Sequence, residues 1–159
     1  MLNKVFFSKN LTTLLNTIKN QLYITFKTCD TLAIKIHFGE PKNPYTFTPK
    51  HIQPITQILQ ELGLKYFLYD SSVIYPSPRN NPQTHLKMAI EKGWNELGPL
   101  KTNDDYIISQ GEILTYRVCQ ELANAQGVLV ITHVKGHLCS GFGGAIKNLG
   151  MGGVEKESK

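Results

Sequence analysis

Two histidines, a cysteine and a lysine fall close together near the C-terminal end, spread through a run of glycine. His133 and His137 are four residues apart, Cys139 follows two further on, and Lys147 lies inside Gly141-Phe142-Gly143-Gly144-Ala145-Ile146-Lys147-Asn148. On a helix the histidine spacing would place both imidazoles on one face, but Gly136 and Gly141 point to a loop. His-x3-His-x-Cys could supply three metal ligands, with His37 or Glu40 arriving from a neighbouring strand. The plainer alternative is histidines that hydrogen-bond backbone at a strand end. Glycine permits positive φ and close backbone approach, so the amides of Gly141, Gly143 and Gly144 could turn toward one anion, with Lys147 as clamp or nucleophile and Asn148 beside it. A plain glycine-rich connection and a solvated lysine are the competing readings.

Standard nucleotide loops are disfavoured. Ile146, not Gly, precedes Lys147, and Asn148 replaces the Ser or Thr that would hold magnesium in a P-loop. Ile146 also stands where the dinucleotide fingerprint needs a third small residue. Three groups of polar residues follow apolar runs: His37, Gly39 and Glu40 first, then Asp70, Tyr75 and Arg79, and last the His133 to Lys147 segment already described. Ser71, Ser72 and Ser140 have no nucleophile signature, and His51 and His85 lie within helical stretches as expected surface residues.

The elements that must position these groups alternate between strand and helix. Strands are expected at Val5–Phe7, Leu32–His37, Tyr66–Tyr69, weakly at Tyr106–Ser109, and at Gly127–Thr132, whose unbroken apolar run reads as a central parallel strand. Helices are expected after Asn10, with Leu11, Leu14, Leu15, Ile18 and Leu22 as its stripe, and after Thr48-Pro49, ending at Gly63 with a kink at Pro54. Two more are expected from Asn81-Pro82 to Gly93 and over Tyr116–Ala125. Alternation of this kind predicts an α/β three-layer sandwich with a mostly parallel sheet. Ligands of such sheets bind outside the strand carboxyl ends. All three polar groups fall there.

The chain has 159 residues, sized for one domain (1–153, with 154–159 a short polar tail), and roughly 70% of the unfolded surface is buried at this length without any staple. Seven of the thirteen glycines lie between Gly136 and Gly153, which is what makes the loop there distinctive. The formal charge is +5, yet only Arg79 and Arg117 are arginines among seventeen cations and the lysines are scattered, so a nucleic-acid partner is not expected. The charge favours an anionic ligand weakly. Three cysteines, Cys29, Cys119 and Cys139, form no C-x-x-C pair; a disulfide framework and a self-contained four-cysteine cluster are excluded, and a reducing compartment is suggested. No run approaches the ~18 apolar residues of a membrane span and no signal peptide is visible, so a cytoplasmic protein with no membrane partner is expected.

Lys35-Ile36-His37-Phe38-Gly39-Glu40, Thr132-His133-Val134-Lys135-Gly136-His137 and the segment Gly141 to Gly152 resemble the family known as domain of unknown function 362, from Val5 to Gly152 and including Tyr75 and Arg79-Asn80-Asn81. Its members are often labelled uncharacterised iron–sulfur centre proteins, and commonly continue into a ferredoxin-like module. The cysteines of that module are missing here. The resemblance therefore implies a truncated copy or fragment, or a separate ferredoxin-like partner, with no iron–sulfur cluster in this chain alone. A more distant similarity reaches the nickel-pincer lactate racemases, in which a histidine precedes a Gly-Phe-x-Gly-Gly-x-Lys segment whose lysine anchors the cofactor covalently; His137 and Lys147 would correspond.

The leading expectation is a domain that binds an anionic small molecule or cofactor in a redox-associated context. His137, Lys147 and His133 would carry its chemistry, and Gly141, Gly143, Gly144, Asn148, His37, Glu40, Asp70 and Arg79 would bind the ligand. A hydride- or proton-transfer enzyme and a non-catalytic interaction module are the alternatives. Cofactor and metal are left open.

Overall fold

The computed structural model describes residues 5–138 and 140–159. Helix α1 (Leu11–Phe26) starts where Asn10 Oδ1 accepts from Thr13 N, and its stripe of Leu15, Ile18, Leu22 and Phe26 faces the core. Helix α2 (Pro49–Glu61) begins after Thr48, whose backbone N–H donates to His51 Nδ1 at 3.0 Å, and it runs unbroken over Pro54. Helix α3 (Pro82–Glu91) is capped by Asn81, which accepts from Gln83 N and Thr84 N. In each case a side chain or Pro at the first turn relieves amides that have no helical partner.

Strands β1 (Leu32–Lys35), β2 (Tyr66–Tyr69), β3 (Leu100–Lys101) and β6 (Gly127–Val130) form one parallel sheet in the order β3-β2-β1-β6. Leu32, Ala33, Ile34 and Lys35 pair in register with Tyr66 to Tyr69 on one side and Gly127 to Val130 on the other. Alternation splits the core into two layers. Leu32, Ile34, Ile36 and Leu68 pack with Phe26, Ile52, Leu59, Ala89 and Trp94, beneath α1, α2 and α3. Ala33, Phe67 and Tyr69 face Cys119 and Leu122 on the opposite side, beside the short helix α4 (Gln120–Ala123). Helix α5 (Ala145–Gly152) lies against β1 and β6 on that second face. The arrangement is the expected α/β sandwich. Each fully buried Leu or Ile contributes about 1.5–3 kcal/mol through the area it removes from water.

Three expectations are corrected. Residues 5–7 form no strand; Val5 and Phe7 stand exposed, and no strand among the described residues takes up their backbone groups. Tyr116–Cys119, expected to open a helix, lies in strand β5 (Thr115–Cys119), paired antiparallel with β4 (Tyr106–Gln110); cross-strand pairs such as Ile107 with Val118 decide its conformation. Strand β6 is half-buried at the end of the sheet, and the central, fully buried strand is β1.

The glycine run is a hairpin followed by a helix. Strand β7 (Lys135–His137) pairs antiparallel with β8 (Gly141–Gly143), and Gly144 caps α5. Beyond it, Val154 bridges Val118, and Glu155 N donates to Arg117 O. No helix of the described residues is long and apolar enough to cross a membrane.

Candidate functional site

The carboxyl ends of β1 and β2 are occupied by charge rather than by apolar residues. Lys35, the last residue of β1, is 1% exposed, and all three of its ammonium protons are committed. They go to Asp70 Oδ1 at 3.0 Å, Asn148 Oδ1 at 2.9 Å and Ile36 O at 3.1 Å. A buried ammonium is tolerable only when it is paired and hydrogen-bonded throughout. Gly152 makes room for it: a Cβ there would come within 2.4 Å of Lys35 Cε.

Asp70, the first residue after β2, is the hub. Its Oδ1 also accepts from Ser71 N, while Oδ2 accepts from Phe38 N and from Arg79 Nη2, both at 3.1 Å, with His85 Nε2 at 3.4 Å. Burial alone would raise its pKa; Lys35 and Arg79 overcome this and hold the carboxyl well below the usual range. Asp70 is therefore a buried anion between two buried cations.

Arg79 sits in the single turn Pro78–Asn80, its side chain 4% exposed. Its guanidinium is split between two tasks. Nη2 faces inward to Asp70, and Nη1 faces outward to Glu40 Oε1, to Tyr75 Oη at 3.3 Å and to His37 Nε2 at 3.1 Å. Tyr75 also donates to Glu40 Oε1. Glu40 is held below its usual pKa, because Arg79 and the Tyr75 hydroxyl outweigh the effect of partial burial. Burial and then the Glu40 contact push Tyr75 up to about 12, so it remains a donor.

His37 follows β1 and reads as a neutral imidazole. Burial among its neighbours and the charge of Arg79 lower its pKa to about 4, although the side chain keeps 39% of its surface open to solvent. Its Nδ1 accepts from Gly39 N at 2.8 Å. Gly39 adopts φ +91°, and a Cβ there would meet Thr46 Oγ1 at 2.8 Å and Lys92 Nζ at 2.9 Å, so only glycine fits this turn. Lys92 Nζ in turn donates to Glu40 O, and Trp94 Nε1 to Phe38 O.

Asn148 on α5 connects this network to the glycine segment. Its Nδ2 donates to Ile131 O and Thr132 Oγ1 past the end of β6, while its Oδ1 receives Lys35. The structure thus brings together six of the residues singled out in the sequence: His37, Glu40, Asp70, Tyr75, Arg79 and Asn148. His137 and Lys147 form a neighbouring pair across Gly143, whose Cβ position lies 3.9 Å from His137 Cβ and 3.7 Å from Lys147 Cδ. His137 Nδ1 accepts from Ser140 N at 3.2 Å. Gly141, at φ +68°, turns the hairpin, and Gly144 lies under the Phe142 ring. The His133 ring packs against Phe47, with ring centroids 5.5 Å apart. Cys139 lies outside the described residues. Among the described residues no three His, Cys, Asp or Glu side chains are grouped so that they could hold a metal ion.

Lys35, His85 and Lys92 belong to the network and were not singled out as site residues in the sequence. Lys35 is the one charge in a strand otherwise apolar on both faces, and a buried mid-sheet charge needs a partner; that was the available signal. His85, expected at the surface, is fully buried edge-on against Phe38, with ring centroids 5.7 Å apart. It shares the stripe of Met88 and Ala89 on α3, which places it on the core face. At the far end of the chain, Lys159 Nζ donates to Ser71 Oγ at 2.8 Å and to Ser72 O, and burial lowers its pKa to about 8.

The fold and this cluster define an α/β domain whose parallel sheet carries a buried, charged polar network at its carboxyl edge. Residues 32–159, from the first strand to the last residue, match the family described as Domain of unknown function (DUF362), and the chain belongs to that family. No curated protein matches it.

Proposed function

We propose that this domain binds an anionic small molecule or cofactor at the carboxyl edge of its sheet. The observation that carries the reading is the excess of cationic groups there. Lys35, Arg79 and Lys92 surround two carboxylates, Asp70 and Glu40, and Lys92 donates to a carbonyl oxygen at this edge. A rigid, partly desolvated site of positive balance attracts an anion more strongly than an open surface does. The inward half of the network fixes the edge: Asp70 holds Lys35 and Arg79, and Asn148 fastens α5 to β1 and β6. The outward half, Arg79 Nη1 with His37 and Tyr75, is the part a ligand can reach. The His137 and Lys147 pair on the hairpin and α5 supplies a second set of contacts for a ligand long enough to span from one to the other. Parallel sheets place their ligands at this end.

The test is calorimetric titration of the full chain with inorganic phosphate, pyrophosphate and succinate, repeated for Lys147→Ala and Arg79→Lys. At least one anion should bind the wild type, and one of the two substitutions should weaken it tenfold or more while the circular dichroism spectrum stays native. The reading is overturned if no anion binds, or if affinity is the same in all three proteins.

A further inference from the structure

Two hydrogen-bond donors converge on one oxygen of a residue that belongs to the protein itself, and a third stands near it. Glu40 Oε1 accepts from Arg79 Nη1 and from the Tyr75 hydroxyl, and it lies 3.9 Å from His37 Nε2. The third donor follows from the tautomer. His37 Nδ1 takes the Gly39 N–H at 2.8 Å and so carries a lone pair. A neutral ring must then hold its proton on Nε2. That proton faces Arg79 Nη1, another donor, only 3.1 Å away. Two N–H groups side by side gain nothing from each other; both are satisfied by an acceptor set between and in front of them. Among the described residues Arg79 Nε also has no hydrogen-bond partner, although the side chain is buried. The arrangement is that of a seat for a carboxylate oxygen.

We propose that this seat is the recognition point for a ligand carboxylate, and that Glu40 fills it until such a ligand displaces it. The inference rests on the anion-binding reading above and narrows it to carboxylic acids. Arg79 Nη2 is bound to Asp70, so the guanidinium offers one outward nitrogen and one oxygen position rather than a full fork. The seat opens to solvent: the Tyr75 residue is 48% exposed and the side chain of Glu40 27%. Displacement needs only rotation of the Glu40 side chain, because its carbonyl is tethered by Lys92 Nζ at 2.9 Å and the preceding carbonyl but one, Phe38 O, by Trp94. In a lone ion pair with no such role, a single donor would suffice; here the carboxylate takes two donors, with the His37 ring 3.9 Å away, and the group faces open solvent.

Acetate is the probe, followed by nuclear magnetic resonance of the His37 ring and by calorimetry, in wild type, Glu40→Ala and Glu40→Gln. Glu40→Ala should bind acetate at least tenfold more tightly than wild type, and Glu40→Gln should show a smaller gain in a protein that keeps the side-chain shape. In wild type, acetate at high concentration should move the His37 ring signals to the positions they take in acetate-bound Glu40→Ala. Adding Tyr75→Phe to Glu40→Ala should weaken acetate several-fold. The inference is overturned if the wild-type His37 signals do not respond to acetate, or if both Glu40 variants bind acetate no better than wild type. It is overturned in its ligand class if the Glu40 variants gain affinity for phosphate and none for acetate. Phosphate or pyrophosphate binding that depends on Lys147 but ignores Glu40 removes this inference and leaves the anion site standing; absence of all anion binding removes both.

Discussion

At the scale of single residues, Asp70 is the group on which the others depend. Its carboxylate is the common partner of Lys35 and Arg79, and it receives the Phe38 and Ser71 amides as well. Removing its charge leaves two buried cations facing a neutral amide. Breaking one partner of a buried ion pair costs about 3–5 kcal/mol, because the surviving charge stays desolvated. Asp70→Asn should therefore lose about that much stability in urea unfolding. The four strand-end residues His37, Glu40, Asp70 and Arg79 were legible in the sequence, because a parallel sheet gathers whatever follows its strands along one edge. Their pairing was not. The choice of Asp70 as hub, with Glu40 kept at the rim, depends on how deep each loop sits, and chain distances of 30 to 40 residues say nothing of depth.

The elements divide along the same line. Asn10, Thr48-Pro49, Asn81-Pro82, Gly63 and Gly93 mark their helices correctly, since capping and left-handed exits are settled within a few residues. Strand β5 was missed because Tyr116 to Leu122 has a helix-like apolar spacing, and only the partner strand β4, reached across the turn at 111–114, selects the extended form. The run at Gly127 reads as a central strand, yet the order of strands is a property of the crossovers and not of that segment. Gly152 is small because Lys35 lies against it, 2.4 Å from where a Cβ would be. That Lys35 end cannot swing away without losing Asp70 and Asn148. Gly152→Ala should cost about 1–3 kcal/mol, the usual penalty for overpacking, and should lower Tm in a thermal melt. Gly150→Ala, with open space at its Cβ position, is the matched control and should leave Tm unchanged or slightly raised.

For the molecule as a whole, the charged edge fixes how stability responds to acid. Asp70 and Glu40 have pKa values below their ordinary ones in the folded chain, so each favours folding above the ordinary carboxylate range and loses that contribution as the pH falls through its lower folded value. His37 acts over a different window. Its folded value is about 4 against an ordinary 6.5, so between these two pH values the unfolded chain takes up a proton that the folded chain refuses. Stability must fall with pH across that interval, and the His37 contribution is constant below it. The onset of acid destabilisation is thus set near pH 6.5 by an imidazole and not near pH 4 by the carboxylates. Urea midpoints measured from pH 7.5 to 4 should decline from about pH 6.5 in the wild type. In His37→Gln, which keeps an acceptor for the Gly39 amide and cannot titrate, the curve should stay flat until the carboxylate range is reached. Equal slopes in the two proteins between pH 6.5 and 5 would show that His37 titrates normally, and with it the Nε2 proton that faces Arg79 and Glu40 would lose its basis.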